Sequence, residues 1–219
     1  MEDKKLIIIA GVIVAIIAIV GVIFATGIFN TQNQVTTPFE TDFMAGSFVG
    51  NVTLINTTDA YVYSYKDNTH NITYNITTVD NSSALMDVYS LQGITNPDER
   101  TFNGFDWNIY YTQAVPTSGN ETNATNNTMN IVICQSQGKN QGYIIYVIFG
   151  ANSDVKSTGN EFGEAYKDYV EPLLKTISLK ESENVPAIYE QFGMSESEFY
   201  QQINLIQQYN AGNYSALEG

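Results

Sequence analysis

Chemistry in this chain would have to come from very few residue types. His70 is the only histidine and Cys134 the only cysteine, so the familiar base–nucleophile pairs and metal-ligand sets lack members before geometry is considered. His70 falls in the turn-like run Asp67-Asn68-Thr69-His70 and reads as an exposed loop histidine. Cys134 follows Asn130-Ile131-Val132-Ile133 and reads as a small buried hydrophobe rather than a reactive thiol. A lone cysteine also forbids an intramolecular disulfide. There is no Gly-x-Ser-x-Gly, P-loop, dinucleotide fingerprint or calcium loop. We therefore assign no catalytic residue, no metal ligand and no cofactor-binding residue, and expect no cofactor. Carboxylates are the one abundant reactive group. Asp98, Glu99 and Asp106 gather near Trp107, and a glycan hydrolase would need two such carboxyls about 5–9 Å apart in a cleft.

Two other patterns bear on sugars. Tyr61, Tyr63 and Tyr65 share one face of an alternating run and, with Trp107, can form a flat glycan-stacking platform. The same alternation suits the half-buried face of a strand. Nine Asn-x-Ser/Thr sequons begin at Asn51, Asn56, Asn71, Asn75, Asn81, Asn120, Asn123, Asn126 and Asn213, and are candidates for glycosylation. The three from Asn120 to Asn126 lie in one polar stretch, the composition of a glycan-bearing loop tip.

All nine sequons follow a run from Leu6 to Phe29 that holds no charged residue. As a helix it is long enough for a hydrocarbon core of about 30 Å. Lys4 and Lys5 precede it and the next basic residue is Lys66, which predicts a cytoplasmic N-terminus and an extracytoplasmic remainder. A cleaved signal ending near Ile23-Phe24-Ala25 is the rival reading, and it leaves the domain outside as well. Gly11, Ala15, Ala18 and Ala25 lie near one face of this helix, so packing of two copies through it is an option. The net charge of −14 lies beyond the span, because Glu2 and Asp3 offset Lys4 and Lys5. Such acidity argues against nucleic acid as a partner and leaves envelope polymer or another protein.

The elements expected to position these residues are mostly strands. Val52–Ile55, Ala60–Tyr65 and Ile72–Thr77 read as an antiparallel meander. Asn81 caps a short helix to about Tyr89, and Phe105, Trp107, Ile109 and Tyr111 alternate along a further strand. Met129–Gln135 and Tyr143–Gly150 form a hairpin whose second strand, apolar on both faces, is central. Phe162, Tyr166, Tyr169, Leu173 and Ile177 mark a helix that kinks or restarts at Pro172. Ser195-Glu196-Ser197-Glu198 is a capping box for a last helix, through Tyr209. The expected fold class is α+β: a transmembrane helix, then a mostly antiparallel sheet flanked by helices, with a C-terminal helical tail. The expected boundaries are a cytoplasmic 1–5, a span over 6–29, a polar stalk over 30–44, an extracytoplasmic domain over 45–180 and a helical extension over 181–219.

With its hairpin Met129 to Gly150 and closing helix Tyr166 to Leu179, the chain resembles small membrane-anchored envelope proteins of methanogenic archaea with a PsbP-like ectodomain. The resemblance implies an antiparallel sheet flanked by helices over about residues 45–180, and a non-catalytic accessory or interaction module. It carries no functional residue across. The expected function is thus a membrane-anchored, non-catalytic binding or structural module of the envelope. A carboxylate-based glycan hydrolase is the alternative, and a pilin-like surface subunit a second.

Overall fold

A computed structural model describes residues 35–56, 62–90, 93–114, 128–156 and 161–212. Alternating residues build a seven-stranded antiparallel sheet at the centre. Its strands are β3 (Val52–Asn56), β4 (Val62–Asp67), β5 (Ile72–Val79), β6 (Asp98–Phe102), β7 (Phe105–Ala114), β8 (Met129–Gln137) and β9 (Gly142–Phe149), in the order β3-β4-β5-β9-β8-β7-β6. The strand that is apolar on both faces, β9, occupies the middle, hydrogen-bonded to β5 and β8. A second antiparallel sheet has the order β1-β2-β10, from β1 (Thr36–Glu40), β2 (Met44–Val49) and β10 (Ser178–Leu179).

Strand periodicity sends the large sheet's side chains into two cores. On one face Tyr74, Ile76, Trp107, Ile109, Val132, Cys134, Ile145 and Val147 pack under Phe39, Phe43, Met44 and Phe48 of the small sheet's hairpin and under Tyr166, Val170, Leu173, Leu174 and Ile177. On the other face Val79, Ile131, Ile133, Ile144 and Ile148 meet α1 (Ser82–Ser90), α3 (Ile188–Gln191) and α4 (Glu196–Asn210). At about 1.5–3 kcal/mol for each large apolar side chain fully buried, these two layers supply the main drive to fold without any disulfide.

Local chemistry explains the helix ends. The Asn81 side-chain oxygen accepts from Ala84 N at 3.3 Å, capping α1. Ser195 and Glu198 form the reciprocal capping box of α4. Pro172 has no N–H for the carbonyl of Asp168, and the chain answers by widening: Tyr166–Val170 is a π-helix running directly into α2 (Glu171–Thr176).

The expected architecture is corrected here. The fold is mixed α/β with two antiparallel sheets and few helices, not one sheet flanked by helices. Among the described residues no helix is long and apolar enough to cross a membrane. The segment 6–29 assigned to such a helix lies outside the described residues, as do Gly11, Ala15, Ala18 and Ala25. The described part of the polar stalk is sheet: Pro38 sits in β1, an edge strand that needs no N–H there, and Phe39 and Phe43 enter the core. The helical extension likewise belongs to the domain, since Ile188, Phe199, Ile203 and Ile206 are buried against the large sheet.

Candidate binding cleft

The residues singled out for sugar stacking do not form a platform. Trp107 is 1% exposed and Tyr65 is buried, while Tyr61 lies outside the described residues. The cover is the hairpin β1–β2: the Tyr65 ring meets Phe39 and Phe48, and Tyr63 packs edge-on to Phe43 and donates to Asp42 Oδ1 at 3.1 Å. The stretch that reads as stalk supplies the lid over the tyrosine face.

The carboxylate group also comes apart. Asp98 pairs with Ile109 and Thr101 with Asp106 across the β6–β7 ladder. Asp98 and Asp106 are therefore three ladder steps apart, about 10 Å along the strands, and point to opposite faces. Asp106 accepts from Thr101 Oγ1 at 2.7 Å on the solvent side, the face it shares with Glu99. No enclosed acid–base pair arises from these three.

His70 departs from the exposed-loop reading. Asp67, fully buried, ends β4 and accepts through Oδ1 from Thr69 N at 2.8 Å and His70 N at 3.2 Å. Its Oδ2 lies 2.6 Å from His70 Nδ1, and the imidazole rests against the Tyr169 ring. Burial and the nearby Asp67 charge raise the Tyr74 and Tyr169 phenols above their ordinary range. The hydrogen bonds of Asp67 with Thr69 and His70 close the β4–β5 turn. Cys134 is wholly buried and its thiol is pushed far up by burial, so it is inert packing. Among the described residues no three His, Cys, Asp or Glu side chains are grouped to hold a metal ion.

A cleft of about 800 Å³ opens instead where β6 and β7 meet the segment leading into the π-helix. Strand parity brings Asp98 and Arg100 of β6 and Ile109 and Tyr111 of β7 to one face. Opposite them the isolated bridge between Lys156 and Phe162 fixes the approach to the helix, which adds Tyr166, Lys167 and Glu171. Arg100 is held from two sides. Asp98 Oδ2 accepts from its Nε at 2.8 Å and lies 2.7 Å from its outer nitrogen, and the guanidinium lies 5.4 Å and 5.8 Å from the centroids of Phe162 and Tyr166. Those two rings stack on each other with centroids 3.9 Å apart. The Lys156 ammonium sits 5.5 Å from the Tyr111 ring centroid. Below, Trp107 Nε1 and the Tyr166 hydroxyl are buried without a hydrogen-bond partner among the described residues. Of the cleft's residues only Asp98 stands out in the sequence for its chemistry; Ile109, Tyr111, Phe162 and Tyr166 stand out only as apolar positions of a strand and a helix. Arg100, Lys156 and the segment Tyr166–Glu171 are distant in the chain, and no local spacing connects the three.

The sequons separate by burial. Asn51 is exposed, and Asn71 is half-buried in the turn with φ of 53°. Asn75 is 3% exposed on β5, between β4 and β9, and its amide has no path to a glycan. Asn81 is engaged as the α1 cap. Asn56 is in β3, with its side chain outside the description, and Asn120, Asn123, Asn126 and Asn213 lie outside the described residues. Mass mapping of the natively purified protein is expected to find Asn75 unmodified. Full occupancy there would contradict the β5 register.

No family model and no curated protein matches the chain. Among solved structures, a protein from Bacteroides thetaiotaomicron is similar over 71% of this chain and 52% of its own length, at TM-score 0.38 and 8% identity. The chain thus spans about half the length of that protein.

Proposed function

We propose that this chain is a non-catalytic, extracytoplasmic binding module of the cell envelope, held at the membrane by its apolar segment 6–29, with the β6–β7 cleft as its ligand site. One observation carries the reading. Beyond Lys4 and Lys5 an acidic chain has seven basic residues, and three of them, Arg100, Lys156 and Lys167, line this single cleft. Exposed ion pairs contribute little to folding, about 0–1 kcal/mol, so fold stability alone gives little reason to concentrate them there. Convergent polar groups over aromatic walls are what a ligand site requires. Binding fits better than turnover: Asp98 and Glu171, the carboxylates on the strand and helix walls, are each already paired with a cation, Arg100 and Lys175. The uncharged run 6–29 behind Lys4 and Lys5 supports the membrane location.

The test uses the full-length chain in detergent, incubated with isolated envelope fractions. The wild type is expected to retain envelope material. Arg100→Ala is expected to lose about tenfold in retention, with stability lowered by no more than about 1–2 kcal/mol, the size of one exposed ion pair and its cation–π contacts. No retention by the wild type, or turnover of envelope glycan, would count against the reading. Protease added to intact cells should shave off the bulk of the chain, and its sparing until lysis would reverse the location.

A further inference from the structure

We infer that the cleft takes an uncharged, hydroxyl-rich ligand, a neutral saccharide, rather than an anionic polymer. The inference rests on the cleft being the ligand site and goes on to its chemistry. The lining balances in charge: Arg100, Lys156 and Lys167 against Asp98, Glu161 and Glu171. Most of these charges are also matched locally before any ligand arrives. Asp98 holds Arg100 at 2.7 Å, Lys167 reaches Glu164 at 3.0 Å, and Glu171 takes Lys175 at 2.6 Å. Such a wall has little net field to attract an anion, and it stands on a molecule of net charge −14, which repels one.

What the wall does offer is fixed donors and acceptors. Arg100 is clamped by Asp98 and by two stacked rings, so its remaining N–H groups are oriented without further ordering. The carboxylates of Asp98 and Glu171 keep acceptor positions beyond those used by their cations. Sugar hydroxyls both donate and accept, and can use both kinds of group at once. An anionic ligand would use the cations and be opposed by the three carboxylates.

The experiment measures retention of the full-length chain in detergent on immobilised neutral oligosaccharides, on uronate-bearing oligosaccharides of equal length and on an acidic peptide. Neutral ligands are expected to be held best, with less than about twofold change between about 20 mM and about 500 mM salt. Asp98→Asn is expected to weaken them by about threefold or more, since a charged acceptor is lost. Tighter binding of the uronate or the peptide, loss of binding with salt, or tightening by Asp98→Asn would each overturn the inference. Retention of envelope fractions without retention of any saccharide overturns it and leaves the binding-module reading standing. Failure of both retentions removes both.

Discussion

Replacing Asp67 with alanine is expected to lower folding stability by about 3–5 kcal/mol, because three hydrogen bonds accepted by one fully buried side chain are lost at about 1–1.5 kcal/mol each. The carboxylate is 0% exposed and accepts from Thr69 N, His70 N and His70 Nδ1. Its loss leaves two turn N–H groups and one imidazole nitrogen without their partner. It also empties space behind Gly50, where a Cβ would sit 2.5 Å from Asp67 Oδ2. Relief of the carboxylate's desolvation opposes these terms. The turn is a junction: Gly50, with φ of 99°, backs on the carboxylate from the β2–β3 link, and Tyr169 leans on His70 from the π-helix. Asp67→Asn keeps an oxygen for the turn amides and is expected to cost less, about 1–2 kcal/mol. Urea denaturation followed by circular dichroism measures both. A change under about 1 kcal/mol for Asp67→Ala would show that the junction is not stabilised by this carboxylate.

The sequence was legible where a rule is local. Period-two alternation located β3, β4, β5, β7, β8 and β9, and the two-sided apolarity of Tyr143–Phe149 put β9 at the centre. The caps at Asn81 and Ser195 and the break at Pro172 likewise follow from one residue's chemistry. The sequence is silent where the partner is remote. The segment 30–44, which includes β1, looks like a stalk because Pro38 and the polar residues before it dominate; Phe39 and Phe43 there, with Phe48 of β2, find their partners Tyr63, Tyr65 and Tyr74 later in the chain. The covering of Tyr65 and the second sheet were hidden for that one reason. One local signal does bear on the cleft. Asn103 and Gly104, with φ of 50° and 83°, form the tight turn that Asn-Gly favours, and they fix β6 against β7. That hairpin sets Arg100 across from Trp107, and with it one wall of the cleft. The opposite wall, through Lys156, Phe162 and Glu171, depends on long-range packing.

Gly142→Ala is expected to be the other large loss, about 3 kcal/mol, at the upper end of what overpacking costs. The cause is steric and not conformational, since Gly142 is not among the residues of positive φ. A Cβ there would lie 2.3 Å from both Cβ and Oγ of Ser82, the first residue of α1. Neither side can yield easily. The strand is bonded on both edges, Gly142 pairing with Val79 and Gln137, and its carbonyl accepts from Thr78 Oγ1 at 2.9 Å. The helix is pinned by Ser82 Oγ donating to Gln137 Oε1 at 2.5 Å and by Leu85, Val88 and Tyr89 in the second core. Adding one methyl must therefore lift the N-terminus of α1 from the sheet or break the Ser82 bond. The pair makes a decisive cycle. Ser82→Gly alone should cost about 1 kcal/mol in helix propensity and the lost hydrogen bond, yet it opens the space that the added methyl needs. The double variant is then expected to be more stable than Gly142→Ala alone, with a coupling of about 1–2 kcal/mol. Additive losses in thermal or urea unfolding would show that α1 does not press on β9 at this point. Close seating of that helix buries Val88 and Tyr89 against the sheet, so the same cycle measures the contact that holds this helix to β9.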